Sequence, residues 1–219
     1  MEDFDGIERE TGFGPDLSMI WLHGLGADAT DFLPIIDALD LATTTRFIFP
    51  NAPRRAVTIN GGMVMRAWYD ISGFGANAAE DTEGLTRSAE SVRRLVHREL
   101  ERGIDASRIL LAGFSQGGAV VLHAGLAGDV ALGGILGLST YLPAVGLLQD
   151  GPGIRSDIPV MLTHGIYDPV IPLAIAERSA ALLTGSGVAV DWSTYRMGHE
   201  VVAEEIGHIN DWLRGFGSR

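Results

Sequence analysis

The feature that most constrains this chain is a serine between two glycines at the junction of two apolar segments. Residues 109–112 predict a short buried strand, and residues 118–127 predict a buried helix. The turn between them reads Gly113-Phe114-Ser115-Gln116-Gly117. Glycines on both sides suit a strained strand-to-helix turn, because the backbone there leaves no room for neighbouring side chains. The pattern predicts an exposed serine at the carboxyl edge of a sheet, over a helix N-terminus that favours negative charge.

Predicted strands and helices alternate along the rest of the chain. This alternation predicts an α/β fold, with a mostly parallel central sheet flanked by helices on both faces. A length of 219 residues and a hydrophobic content of 46% suit a single domain over residues 1–219. Besides the strand at 109–112, strands are predicted at 17–22, 47–49, 134–138, 159–163 and 188–195. Further helices are predicted at 31–39, 83–102 and 172–183, and after residue 199 with Val202, Ile206, Ile209 and Leu213 facing inward.

Two segments lack a clear pattern. Residues 1–16 are polar and are expected to form a loose lead-in that can hold a short edge strand around Ile7. Residues 51–82 show no periodicity, yet they include several large apolar side chains, Met63, Met65, Trp68 and Phe74. Such residues in a long loop favour a lid-like wall of an apolar substrate site. The alternative is a loop that packs on the core and has no role in substrate binding.

Composition and charge exclude several kinds of chemistry. The net charge of −12 argues against binding nucleic acid or an anionic membrane. Cysteine is absent, which excludes thiolate chemistry, and all sixteen basic residues are arginine, which excludes a lysine base. Codon bias and salt adaptation both stay open as the origin of the missing lysine. Because no apolar run could span a bilayer and the N-terminus is acidic, we expect a cytoplasmic protein without stable membrane insertion.

A serine nucleophile needs a base that takes its proton and a carboxylate that orients the base. Asp168 and His199 follow Ser115 in the chain, and each comes just after a predicted strand. Parallel strands end at one edge of a sheet, where ligands bind, and serine, acid, histidine is the order of α/β-hydrolases. The sequence therefore predicts Ser115 as nucleophile, Asp168 as acid and His199 as base. An ordinary glycine turn with satisfied polar residues in the loops is the alternative.

Other histidines and acids fit these roles less well. His23 precedes the serine and lies in a glycine-rich loop, which suits a structural role, and His164 is expected to shape the loop near Asp168. Helical positions are predicted for the remaining histidines, His97, His123 and His208. Three acids stay open as alternatives, although none directly follows a buried strand in the required order: Asp70, Asp150 and Asp157.

An oxyanion needs backbone N–H donors aimed at the place where the negative charge develops. One donor is predicted at Gln116, at the start of the helix, and the other at Leu25, in the loop after the first convincing strand. Gly24 and Gly26 let that loop adopt the necessary shape. A phosphate-binding loop is the alternative, but the remaining spacing of the phosphate fingerprints is missing.

Taken together, the motifs resemble one family, the phospholipase/carboxylesterase family of α/β-hydrolases, which contains small carboxylesterases and acyl-protein thioesterases. The resemblance extends from Trp21 to Trp212. It rests on residues 21–28, 50–53, 57–62, 66–70, 113–118, 138–143, 164–165 with 168–172, and 197–201. Thr140 after Ser139, and the sequence Met65-Arg66 before Ala67-Trp68, look closer to the bacterial carboxylesterases than to the eukaryotic thioesterases.

The resemblance implies an α/β-hydrolase fold and the same catalytic and oxyanion residues. It also implies an apolar acyl channel near Trp68, and the residues expected to contact substrate are Met63, Met65, Trp68, Phe74 and Leu142. Met63 departs from the aromatic residue expected in bacterial members, which leaves the shape of the acyl pocket open.

The expected function is that of a serine carboxylic-ester hydrolase that works through an acyl-enzyme intermediate. This chemistry requires no metal and no organic cofactor, and the expected partner is a small-molecule acyl ester. A thioesterase or a lysophospholipase with the same triad is the nearest alternative, and a non-catalytic ligand-binding module is a further one. A homodimer is compatible with the sequence, which does not determine the oligomeric state.

Overall fold

The structure, a computed structural model, describes residues 4–73, 79–149 and 153–215. The strands are β1 (Gly6–Glu10), β2 (Leu17–Leu22), β3 (Thr45–Pro50), β4 (Arg54–Val57), β5 (Met63–Arg66), β6 (Ile109–Phe114), β7 (Gly134–Leu138), β8 (Val160–Gly165) and β9 (Val190–Tyr195). The α-helices are α1 (Ile35–Ala38), α2 (Thr82–Glu101), α3 (Gln116–Leu126), α4 (Val145–Gln149), α5 (Leu173–Gly185) and α6 (Ala203–Arg214). Short 3₁₀ helices cover Thr58–Asn60 and Ala106–Arg108.

In the described part of the chain, seven strands form the central sheet in the order β1-β3-β2-β6-β7-β8-β9. Strand β1 is antiparallel to β3, and the other neighbours in this sheet are parallel. The carboxyl ends of β2, β6, β7, β8 and β9 therefore meet at one edge. This is the edge at which the sequence predicts the functional loops.

The sheet separates two buried clusters, because alternate residues of a strand face opposite sides. Ile20 and Leu22 of β2 belong to a cluster that includes residues of α2, α3, α4 and α5. Met19 and Trp21 belong to a second cluster, with residues of α1 and α6. Helices thus cover both faces of the sheet, as in an α/β-hydrolase fold.

The short edge strand expected around Ile7 is present as β1, where Ile7 lies opposite Phe49. One prediction nearby needs correction. The helix predicted over 31–39 is reduced to α1 at Ile35–Ala38. Proline at position 34 lacks the N–H that a continuous helix would need, so residues before it form separate turns.

The segment over residues 51–82 is not devoid of regular structure, and that prediction is wrong for residues 54–66. Strands β4 and β5 form an antiparallel two-stranded ribbon, hereafter the ribbon, closed by the Thr58–Asn60 turn. Gly61 and Gly62 follow with φ angles of 65° and 80°, a conformation that favours glycine. Most residues of the ribbon are exposed or half-buried, so no apolar alternation marks these strands in the sequence.

The other predicted strands and helices are present, with shifts at their ends, and α4 is an addition that the sequence did not predict. None of the described helices is long and apolar enough to cross a membrane.

Candidate active site

Ser115 lies on the sharp turn between β6 and α3. Its backbone angles, φ 55° and ψ −119°, lie in a region that side-chain-bearing residues rarely adopt. A Cβ atom on Gly113 would lie 2.4 Å from the carbonyl carbon of Gly117, and one on Gly117 would lie 2.5 Å from the carbonyl oxygen of Leu22. The glycines are therefore required by close backbone approach, and the turn is held by strand β2 as well as by its own residues.

The structure brings Ser115, His199 and Asp168 together in one hydrogen-bonded chain. His199 Nε2 lies 2.9 Å from Ser115 Oγ, and His199 Nδ1 lies 2.7 Å from Asp168 Oδ2. Since a carboxylate only accepts, Nδ1 carries the proton and donates it, which leaves Nε2 free to accept from the serine hydroxyl. This is the tautomer that a base acting on Ser115 needs.

The carboxylate of Asp168 is fixed from its other side. Its side chain is fully buried, and Oδ1 accepts backbone N–H groups from Val170 at 2.8 Å and Ile171 at 2.9 Å. These donors leave Oδ2 directed at the imidazole of His199. The ring of His199 also packs against Phe114, with ring centroids 4.8 Å apart, so its orientation is set by two contacts.

The remaining histidines have other partners. His164 is buried, and its Nε2 donates to the carbonyl of Ile171 at 2.9 Å, which matches the predicted role in shaping the Asp168 loop. Burial lowers the pKa of His164 and of His123, which keeps both rings neutral. His123 bonds the carbonyl of Pro143, while His97 lies near Asp129 and His208 bonds the hydroxyl of Tyr195.

The alternative acids are engaged elsewhere or lie outside the described residues. Asp70 accepts from the backbone and the hydroxyl of Thr58, and Asp157 pairs with Arg155. Asp150 lies outside the described residues. Within the described ranges, no group of three or more His, Asp or Glu side chains is arranged to hold a metal ion.

The glycine-rich loop after β2 is held by His23. The N–H of Ala52 donates to His23 Nε2 at 3.0 Å, so the proton resides on Nδ1, which donates to the carbonyl of Gly24 at 2.7 Å. Burial lowers the pKa of His23, which maintains this neutral form. The predicted structural role of His23 agrees with these contacts, because the ring fixes the loop that carries Leu25.

Gln116 and Trp68 connect this loop to the serine turn, and sequence reasoning missed the side chain of Gln116. Its amide oxygen accepts the Trp68 N–H at 2.9 Å, and its nitrogen donates to the carbonyl of Tyr69 at 2.7 Å. The indole N–H of Trp68 donates to the carbonyl of His23 at 2.9 Å. A glutamine beside the nucleophile, in an apolar stretch, was the available signal, since a buried amide needs partners for both ends.

The two backbone donors predicted for an oxyanion are at Leu25 and Gln116. Within the described ranges, neither N–H donates to another backbone carbonyl or to a side chain. The adjacent N–H of Gly26 donates to the carbonyl oxygen of Arg66 on the ribbon at 2.9 Å, so the loop is anchored immediately after Leu25. Both donors therefore have capacity for an acceptor atom at this edge.

The residues expected to contact substrate do not share one environment. Trp68 is 3% exposed and belongs to the buried core, while Met63 on the ribbon is 63% exposed. Met65 is half-buried, and its sulfur lies beside Gly26. Leu142 is buried, and its N–H donates to Ser179. The prediction for Phe74 falls outside the described residues.

Glu205 is a buried carboxyl that the sequence did not single out. It lies in the first turn of α6, after His199, and its side chain is fully buried. It accepts the hydroxyl of Thr163 on β8 and the N–H of Val202 at the start of the helix. Burial raises its pKa to about 7. This contact joins the strand that precedes Asp168 to the helix that follows His199.

A largely parallel sheet, with serine after β6, acid after β8 and histidine after β9, is the arrangement of the α/β-hydrolases. A sequence model of the Phospholipase/Carboxylesterase family matches residues 15–216, and the chain belongs to this family.

Relatives and solved structures agree with this assignment. The chain is 37% identical to acyl-protein thioesterase 1 of Gibberella zeae over 209 residues, which cover 90% of this chain and 89% of that protein. It is 39% identical to the protein of that name from Schizosaccharomyces pombe, over 76% of this chain and 75% of that protein. The crystal structure of Zea mays acyl-protein thioesterase 2 superposes with a TM-score of 0.85 at 30% identity, covering 96% of this chain and 99% of that one.

Proposed function

We propose that this protein is a serine carboxylic-ester hydrolase with Ser115 as nucleophile, His199 as general base and Asp168 as the acid that orients the base. The observation that carries the proposal is the continuous chain of hydrogen bonds from Ser115 Oγ through His199 to Asp168. Family membership supports a hydrolase.

In the acylation step, His199 Nε2 accepts the proton of Ser115 while Oγ attacks the carbonyl carbon of the ester. The backbone N–H groups of Leu25 and Gln116 donate to the oxyanion of the tetrahedral intermediate. When the intermediate collapses, the C–O bond to the leaving group breaks, and His199 returns its proton to the departing alcohol. Ser115 is left as an acyl ester.

In the deacylation step, His199 takes a proton from water, and the resulting hydroxide attacks the acyl carbonyl. The second oxyanion uses the same two donors. Collapse breaks the bond to Ser115, whose Oγ recovers a proton from His199, and the carboxylic acid is released. All proton transfers pass through one imidazole, which fits the single tautomer that Asp168 imposes.

Thioester hydrolysis is the second candidate, and the names of the relatives favour it. The relatives from Gibberella zeae and Schizosaccharomyces pombe are both called acyl-protein thioesterase 1. The same residues serve either reaction, because a thiolate leaves without needing more help from His199 than an alkoxide does. The choice of acyl group and leaving group is therefore set outside the Ser115–His199–Asp168 chain.

The test compares an oxygen ester, a thioester and a lysophospholipid that carry the same acyl chain. With wild-type protein, kcat/KM for the three substrates ranks the leaving groups. Ser115→Ala should lower kcat on every substrate by about 10⁴-fold or more. Ser186→Ala, an exposed serine at the end of α5, is the matched control and should leave all three rates unchanged. Retention of more than a tenth of the activity by Ser115→Ala would refute the proposal.

A further inference from the structure

A cavity of about 480 Å³ lies beside α2, apart from the residues around Ser115. Its lining includes Trp68, Val92 and Leu95, together with Phe4 from the N-terminal segment. Ser115, Asp168, His199 and Leu25 do not line it. The size is that of a small-molecule site, and the apolar lining suits a hydrocarbon group.

The rim of the cavity is rich in arginine, although the protein as a whole carries a net charge of −12. Four arginines line it, Arg55, Arg87, Arg94 and Arg98, against a single acid, Asp5. Asp5 is already bonded to Asn51 and Arg66. A cavity with an apolar wall and a cationic rim is complementary to a molecule that has one apolar chain and one anionic head.

The arginines differ in the partners that their guanidinium groups bind. Arg98 pairs with Glu8 and stacks on Phe4, 4.7 Å from the ring centre, so it forms part of the wall. Arg94 bonds the hydroxyl of Ser91 at 2.8 Å, and in the described ranges no carboxylate lies within 4.0 Å of its guanidinium. Arg87 pairs with Glu83 on the exposed face of the helix. An exposed pair of this kind contributes little, so both Arg87 and Arg94 can exchange their partners for a ligand carboxylate at low cost.

We infer that this cavity is a second ligand site, which binds a single-chain amphiphile with a carboxylate head, such as a medium-chain fatty acid. The carboxylate lies between Arg87 and Arg94, and the hydrocarbon chain lies against Val92, Leu95 and Trp68. The inference does not depend on the chemistry proposed for Ser115, because both arginines, Val92 and Leu95 lie outside that site.

Trp68 makes binding observable. Trp68 lines the cavity, while its indole N–H is bonded to the carbonyl of His23. A hydrocarbon chain that enters the cavity changes the surroundings of the indole ring, so binding should alter its fluorescence. Trp68→Phe then serves to assign the optical signal to this tryptophan among the four in the sequence.

The experiment uses isothermal titration calorimetry on the full chain carrying Ser115→Ala, with sodium decanoate below its critical micelle concentration. Combining Arg87→Gln with Arg94→Gln in that background should weaken decanoate binding about tenfold or more, because the charge-assisted hydrogen bonds to the carboxylate are removed. Arg178→Gln, an exposed arginine on α5, is the matched control and should leave the affinity unchanged. Decyltrimethylammonium, with the same chain and the opposite charge, should not bind at this site.

Several outcomes would overturn the inference. Equal decanoate affinity in the double variant and in the Arg178→Gln control would place any binding elsewhere, including near residue 115. Equal binding of decanoate and acetate would show that the apolar wall contributes nothing. Equal binding of the cationic detergent would show that the arginines do not select the head group. Thermal unfolding of each variant controls for loss of the fold.

Discussion

The Ser115 turn and the ribbon differ in how far buried contacts fix them. Around the turn, Gly117 is in close contact with β2, Gln116 is bonded at both ends, and the Asp168 carboxylate is fixed by two N–H groups. On the ribbon, Met63 is 63% and Val64 is 60% exposed. The groups proposed for chemistry are thus embedded in buried contacts, whereas exposed side chains of the ribbon can change at little cost to the fold.

The largest effect should come from Asp168→Asn. Because Oδ1 accepts two N–H groups, the amide oxygen of asparagine should stay there and its NH₂ should face His199 Nδ1. Nδ1 must then accept, so the proton moves to Nε2, which can no longer take the proton of Ser115. We expect kcat on a p-nitrophenyl ester to fall by about 10⁴-fold at neutral pH, with the melting temperature changed far less.

A loss of less than tenfold in Asp168→Asn would show that Asp168 does not set the tautomer. Asp157→Asn provides the control, because that carboxylate pairs with Arg155 at the surface. It should leave kcat unchanged.

Glu205→Gln should alter the pH dependence of stability. The folded-state pKa of about 7 lies above the ordinary glutamate value of 4.5, so the folded protein binds this proton more tightly than the unfolded chain does. The contribution is fully present below about pH 4.5 and is lost as the pH rises through about 7, a change of about 3 kcal/mol. Urea unfolding of both proteins at pH 5 and pH 8 measures it.

In that experiment, the free energy of unfolding of Glu205→Gln should fall less between pH 5 and pH 8 than that of the wild type. Identical pH dependences would mean that this carboxyl has an ordinary pKa in the folded protein.

Trp68→Phe tests whether Trp68 supports the buried contacts around the Ser115 turn or contacts the acyl chain of the substrate. The variant leaves the carbonyl of His23 without its indole donor, and a buried acceptor left unpaired costs about 1–3 kcal/mol. We therefore expect a lower melting temperature and an equal proportional loss of kcat/KM on acetyl, butyryl and octanoyl esters. A loss confined to the longer esters, with unchanged stability, would assign Trp68 to the acyl pocket instead.

Met65→Ala should give the smallest effect. Met65 lies beside Gly26, next to the proposed oxyanion donor, so its side chain is placed to cover part of a longer acyl chain. Removing that cover should lower kcat/KM on longer esters by about fourfold for each substrate methylene left exposed to water. Met63→Ala, on the exposed part of the ribbon, is the control and should change neither stability nor chain-length preference. If the two variants have the same chain-length preference, Met65 does not contact the substrate.

The sequence predicts that the three side chains of the proposed triad meet at one edge of the sheet, because topology alone positions them. Ser115, Asp168 and His199 each follow a strand, and parallel strands end at the same edge. The glycines around Ser115 identify the turn for a steric reason that the structure bears out, since Gly113 and Gly117 have no room for a Cβ.

The supporting contacts could not be predicted in this way. The bond between Gln116 and Trp68 joins residues 48 positions apart, and the bond between Thr163 and Glu205 joins residues 42 apart. No local pattern encodes such pairs. The ribbon was missed for a different reason, because most residues of its strands are exposed or half-buried and show no alternation of apolar and polar residues.

Chemical labelling locates the nucleophile without relying on the rate of any one substrate. The protein is treated with a fluorophosphonate probe and cleaved after arginine, which releases residues 109–155, a peptide that contains Ser115 and Ser139. Tandem mass spectrometry then assigns the labelled residue. We expect one phosphonyl group on Ser115 in the wild type, and none in Ser115→Ala. A folded protein that takes no label, or one labelled at Ser139 or elsewhere, would contradict the assignment of Ser115 as nucleophile.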